Sequence, residues 1–171
     1  MDLKIVAGPF GGVTEGPAWD GEKLLFTHIP TSRILSYDPS TCLTTVHRQN
    51  TKWCNGTIFD SKGRYFGCEG EARRVVCYEG DSVTVLSDRF DDKRYNIPND
   101  LAVDDQERIW FTDPFYEGVG GDWSDDRSEM ELDHESIYRL DPQEDGLYKS
   151  NRVTFDTTRP NGLIFNLDHS V

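Results

Sequence analysis

The run Asn55-Gly56-Thr57-Ile58-Phe59-Asp60 decides how the rest of the chain is read, because three other stretches repeat its pattern. Glu15-Gly16-Pro17-Ala18-Trp19-Asp20, Asn99-Asp100-Leu101-Ala102-Val103-Asp104 and Asn161-Gly162-Leu163-Ile164-Phe165-Asn166 each open on a carboxylate or carboxamide. Each then passes a small or acidic residue, crosses apolar positions and closes on Asp or Asn. The openers lie 40, 44 and 62 residues apart. The first two separations match the ~40–45-residue period of a four-stranded propeller blade.

Further strands can be read outward from each opener. A polar turn (20–22, 60–63, 104–106) leads to a second apolar run at 24–26, 65–67 and 109–111. A third run alternates in period two at 33–38, 74–79 and 136–141, and a β-branched fourth is expected at 44–46, 82–86 and 152–155. Short strands at even spacing with turn residues between them predict an all-β chain, and four per repeat predict a β-propeller. A sandwich is the alternative, but it leaves the repeat unexplained. The units are 10–50, 51–95 and 96–158, with 159–171 beginning a fourth blade whose first strand is expected at 161–166. Rings close with ~4–8 blades, so about three blades plus one strand read as part of a longer propeller. Trp19 and Trp110 read as blade core.

The long third spacing comes from an insertion at 114–135, rich in Asp and Glu with Arg127 as its one basic residue, and carrying Gly118, Gly120 and Gly121. It reads as a mobile acidic loop, either a solvated excursion or a lid over the channel.

Composition narrows the partners. The 171 residues hold 18 Lys and Arg against 31 Asp and Glu, a formal charge of −13. That balance argues against nucleic acid and against an anionic membrane surface. No apolar run approaches the ~20 residues of a membrane span. Met1 to Phe10 lacks a secretory signal, so a cytoplasmic protein is expected. Cys42, Cys54, Cys68 and Cys77 form no CxxC pair, and free, mostly buried thiols are expected. The glycosylation sequon at Asn55 then reads as chance.

First strands line a propeller's channel, so Glu15, Asn55, Asn99 and Asn161 are expected to converge at one mouth of it. One carboxylate and three carboxamides are hard oxygen donors, suited to Ca²⁺ or Mg²⁺ rather than Zn²⁺ on donor chemistry. Asn-Gly and Asn-Asp are also ordinary turn signals. A second set, His28, Glu69 and Asp113, stands at the ends of the second strands. These residues could shape a substrate pocket, supply a base or simply satisfy turns.

Together with Glu15-Gly-Pro-Ala-Trp, residues 24–27, Arg33-Ile-Leu-Ser-Tyr-Asp, Asn96-Ile-Pro-Asn-Asp100, Ile109-Trp-Phe-Thr-Asp-Pro114 and Arg159-Pro-Asn-Gly162, the chain resembles the gluconolactonase, regucalcin (senescence marker protein) and luciferin-regenerating enzyme family. The bacterial-type gluconolactonases are the nearest branch. The resemblance implies a six-bladed propeller with one divalent cation at the channel mouth, usually Ca²⁺, with Mg²⁺ or Zn²⁺ as other occupants. It implies Glu15, Asn99 and Asn161 as metal ligands, and Asn55, His28, Glu69 and Asp113 around the substrate. His28 departs from the acidic residue usual in bacterial members. The catalytic Asp of the family would lie beyond Val171, so residues 1–171 alone are expected to be inactive. The implied reaction is metal-assisted opening of a sugar lactone by water. The alternatives are a non-catalytic calcium-binding propeller and a phosphotriesterase-like hydrolase acting on another small ester.

Overall fold

Asp20, Asp60 and Asp104 close the repeated motif for a reason visible in the computed structural model, which describes residues 4–118 and 121–166. Each carboxylate caps the tight turn after its strand. Asp20 Oδ1 accepts from the backbone N–H groups of Glu22 (2.8 Å) and Lys23 (2.6 Å). Asp60 Oδ1 accepts from Lys62 and Arg64, and Asp104 Oδ1 from Gln106 and Arg108. Arg64 and Arg108 each bring Nε to the other oxygen at 2.6 Å. Burial works against charge on Asp60 and Asp104, but these donors outweigh it and hold both carboxyls below their ordinary value.

From these turns grow three four-stranded antiparallel sheets, each strand paired with its neighbour in sequence. The first holds β1 (Thr14–Trp19), β2 (Leu24–His28), β3 (Arg33–Asp38) and β4 (Leu43–Gln49). The second holds β5 (Cys54–Phe59), β6 (Tyr65–Glu69), β7 (Arg74–Glu79) and β8 (Ser82–Ser87). A small hairpin follows, β9 (Arg89–Phe90) with β10 (Lys93–Arg94). The third sheet holds β11 (Leu101–Val103), β12 (Ile109–Asp113), β13 (Ser136–Pro142) and β14 (Tyr148–Arg152). This is part of a β-propeller; two of its apolar clusters lie between blades, and a third, Phe26, Leu35 and Tyr37, packs in the first blade against Ala7 and Phe10. Ala18, Leu25, Ile34, Tyr65, Val76 and Tyr78 fill the first seam, and Phe66, Val75, Phe111, Tyr138 and Leu140 help fill the second. The middle blade therefore has a neighbour on each face, and every residue of β6 is buried.

The structure departs from the sequence reading at four places. The last strand of the third blade is Tyr148–Arg152 rather than 152–155. The Asp145-Gly146 turn sets the hairpin so that Tyr148 faces Pro142, and turn geometry wins over the β-branched run. Residues 161–166 form no strand, because no described residue pairs with their backbone in a ladder. They are seated instead by Leu163 N–H on Asp100 Oδ2 (2.9 Å) and by Phe165 edge-on to Trp110. Trp19, expected in the core, is 54% exposed: its counterparts Phe59 and Val103 pack against the blade before their own, and no described blade precedes the first.

The insertion is the fourth departure. It is packed rather than a free acidic excursion, with Phe115, Leu132 and Ser124 buried and two short 3₁₀ turns at Asp122–Ser124 and Arg127–Glu129. Its base is tied by Glu135. That carboxylate accepts from Phe115 N–H (2.7 Å), Arg127 Nη1 (3.2 Å) and Arg159 N–H (3.0 Å). Burial opposes its charge, but Arg127 and the two amides hold the carboxyl below its ordinary value. Its contribution is complete above the unfolded value and is lost as pH falls through the lower folded one. Glu135→Gln turns an amide donor toward these N–H groups, and a loss of about 1–3 kcal/mol is expected from chemical denaturation at neutral pH. That difference should shrink as pH is lowered below about 4. A variant as stable as the parent at neutral pH would show the tie to be dispensable.

All four cysteines are free, Cys42 exposed and the others buried. Burial pushes the Cys54 thiol up to about 12 and raises Cys68 and Cys77 as well. A thiol reagent at mildly alkaline pH is expected to titrate one cysteine in the folded protein and four in denaturant. Rapid native labelling of a second thiol would contradict the seam packing.

Candidate functional site

The three openers after Glu15 reach the channel because their backbones are held from the preceding blade. Thr27, on β2, donates its hydroxyl to the Asn55 carbonyl (3.0 Å), and Thr112, on β12, does the same for Asn161 (2.8 Å). The equivalent position in the middle blade is Cys68, and there the Gly56 N–H reaches the Asn99 carbonyl instead (2.7 Å). The glycine after each of the first two openers lets the inner strands meet. A Cβ on Gly16 would stand 2.4 Å from the Asn55 carbonyl oxygen, and one on Gly56 would stand 2.7 Å from that of Asn99.

Glu15, Asn55, Asn99 and Asn161 all line one cavity of about 230 Å³ at the mouth, and all four also line a second of about 560 Å³ in the channel behind it. They form the partition between the two. Among the described residues no partner engages the side chains of Glu15, Asn55 or Asn99. Asn161 donates Nδ2 to the Tyr116 hydroxyl (3.0 Å), which leaves its Oδ1 open. Tyr116 in turn donates to the Arg159 carbonyl (3.2 Å). No described Lys or Arg lines the mouth, so Glu15 is its one charged lining residue. Oxygens without protein donors around an uncompensated carboxylate fit a hard divalent cation. Among the described residues no three His, Cys, Asp or Glu side chains form a cluster that could hold a metal ion.

The other set behaves differently. His28, Glu69 and Asp113 do stand at equivalent strand ends, but all three are buried and none lines the mouth cavity. His28 lies between the Thr31 hydroxyl (2.6 Å) and the Phe10 carbonyl (2.9 Å). Glu69 accepts from Arg74 Nε (2.6 Å) and the Tyr78 hydroxyl (3.1 Å). Asp113 Oδ2 accepts from Asn96 N–H (2.9 Å), and burial drives its carboxyl well above the ordinary value. Each fixes the loop that follows or faces it, and those loops supply Ile29, Pro30, Gly70, Ile97 and Tyr116 to the cavity wall. Their contacts tie loops and strands around the mouth, although Asp113 Oδ1 is buried without a partner. The sequence reading missed Trp53 and Trp123, which face each other edge to face at 6.0 Å beside the openers. Trp53 precedes its opener by two residues, and Val13 and Ile97 hold the same place in their repeats and line the same cavity, a recurrence that could have found it. Trp123 sits in the insertion.

A family model described as the SMP-30/Gluconolactonase/LRE-like region matches residues 13–171. The chain belongs to this family. Among its relatives, a gluconolactonase of Zymomonas mobilis is 26% identical, the match covering 92% of this chain and 47% of that protein. The solved gluconolactonase of Xanthomonas campestris superposes with a TM-score of 0.80 at 32% identity, over 91% of this chain and 51% of its own. The virginiamycin B lyase of Staphylococcus aureus shares the fold, at a TM-score of 0.61 and 14% identity, over 91% of this chain and 46% of its own. The chain thus spans about half the length of the relatives it matches. Among the described residues no helix is long and apolar enough to cross a membrane.

Proposed function

We propose that Glu15, Asn99 and Asn161 hold one divalent cation, Ca²⁺ before Mg²⁺ or Zn²⁺, and that the mouth opens the ring of a small lactone of the gluconolactone type. The observation that carries this reading is the convergence of oxygen donors without protein partners on one cavity, each from a separate repeat. A bound cation supplies Lewis-acid polarisation of the lactone carbonyl. Glu15 balances the charge there, and Asn99 and Asn161 contribute neutral oxygens that leave the site net positive toward an electron-rich carbonyl. Tyr116 fixes the Asn161 amide so that its oxygen faces the cavity. Asn55, with both amide atoms free, is placed to orient the substrate by hydrogen bonds. The base that takes the proton from attacking water is, on the family resemblance, an Asp beyond Val171.

Calorimetric titration with Ca²⁺, Mg²⁺ and Zn²⁺, paired with pH-stat hydrolysis of gluconolactone by a chain extended to the full length of its relatives, before and after chelation, tests both halves. One saturable cation site and hydrolysis lost on chelation and restored by Ca²⁺ are expected. Absence of cation binding would remove the ligand assignment. Binding without turnover would leave a calcium-binding propeller.

A further inference from the structure

We infer that Trp53 and Trp123 form a recognition wall for an apolar substituent, so that the mouth prefers an alkyl- or aryl-bearing lactone to a fully hydroxylated sugar lactone. This rests on the proposed lactone opening and names its substrate class. The cavity lining is of two kinds. The openers and Tyr116 supply its carboxylate, carboxamide and hydroxyl groups, whereas Val13, Ile29, Pro30, Ile97 and the rings of the two tryptophans are apolar. A sugar lactone brings hydroxyls around its whole ring, and those set against the apolar lining would be buried without partners, at about 1–3 kcal/mol each. An apolar substituent there instead gains about 0.8 kcal/mol per buried CH₂. With no described Lys or Arg in the lining, an acidic substituent has no counter-charge either.

The wall is held from behind. Trp123 Nε1 is buried without an acceptor, so no hydrogen bond from the ring sets its position. Its backbone does. Arg73, 3% exposed and with φ 53°, donates Nη2 to the Trp123 carbonyl (3.4 Å) and Nη1 to the Glu129 carbonyl (3.2 Å). The arginine clamps the insertion so that the Trp123 ring packs over Gly70 and against Trp53. Arg73 is a positioning residue. Without this packed wall the insertion would leave the mouth open to water.

The test compares gluconolactone with an alkyl-substituted δ-lactone, in a chain extended to the full length of its relatives, by quenching of tryptophan fluorescence with and without Ca²⁺ and by kcat/KM. The alkyl lactone is expected to bind at least about tenfold more tightly, equivalent to about 1.4 kcal/mol. Trp123→Ala should erase the preference and Trp123→Phe should keep most of it. Equal or tighter binding of gluconolactone, or an unchanged preference in Trp123→Ala, overturns the wall and leaves lactone opening standing. Preferential binding of the alkyl lactone with hydrolysis of neither compound supports the wall and sinks the reaction instead.

Discussion

Gly16→Ala is expected to destabilise the protein by about 4 kcal/mol, the largest loss from any single methyl group in the inner strands. Two costs combine. Gly16 has φ 52°, a left-handed conformation, which costs a residue with a side chain about 1–3 kcal/mol. The added carbon would also stand 2.4 Å from the Asn55 carbonyl oxygen and 2.6 Å from the Thr57 nitrogen. Both are backbone atoms of the next blade and cannot swing aside, so relief needs the blades to part, at about 1–3 kcal/mol more. Thr57 also donates its hydroxyl to the Gly16 carbonyl (2.6 Å), and that bond would be lost in the parting. The denaturation midpoint reads the effect. A shift worth less than about 1 kcal/mol would show that the first two blades are not in contact at the axis.

Glu15→Gln is expected to act on the site alone. The substitution keeps size and an oxygen donor but removes the mouth's single charged lining residue. Groups that merely orient a metal ligand cost roughly 10–100-fold in affinity when removed. A carboxylate in direct contact should cost at least about 100-fold, and in a chain extended to the full length of its relatives lactone hydrolysis should fall with it. Stability should change by no more than about 0.5 kcal/mol, because Glu15 is exposed and engages no described partner. Unaltered Ca²⁺ affinity would take Glu15 out of the coordination sphere.

The blades were legible because the motif repeats and because strands buried on one face alternate in period two. The capping Asp, the glycine after the opener and the threonine on the second strand are all short-range necessities of one geometry, so each recurs. The openers could be placed at the mouth for the same reason. What failed were inferences about direction. His28, Glu69 and Asp113 occupy equivalent positions, yet whether a strand-end side chain points to the cavity or beneath the next loop depends on partners such as Phe10, Arg74 and Asn96. Trp19 holds the position at which Phe59 and Val103 pack into the seam with the preceding blade, but no described blade precedes the first. The tryptophan wall was invisible because it joins residue 53 to residue 123 through an insertion that has no counterpart in the other repeats. Only the fold brings them within 6.0 Å.

The backbone of each later opener is fastened by the blade before its own, through Thr27, the Gly56 amide and Thr112. Spacing at the axis is therefore a direct function of the angle between rigid sheets, with little side-chain slack to absorb it. A slight rocking of one blade on the next moves two openers apart along the rim. The mouth works as a gauge of that rocking. Conversely, a ligand that draws the openers together should register far from the rim, as slower amide hydrogen exchange along the seams where Tyr65 and Phe111 are packed.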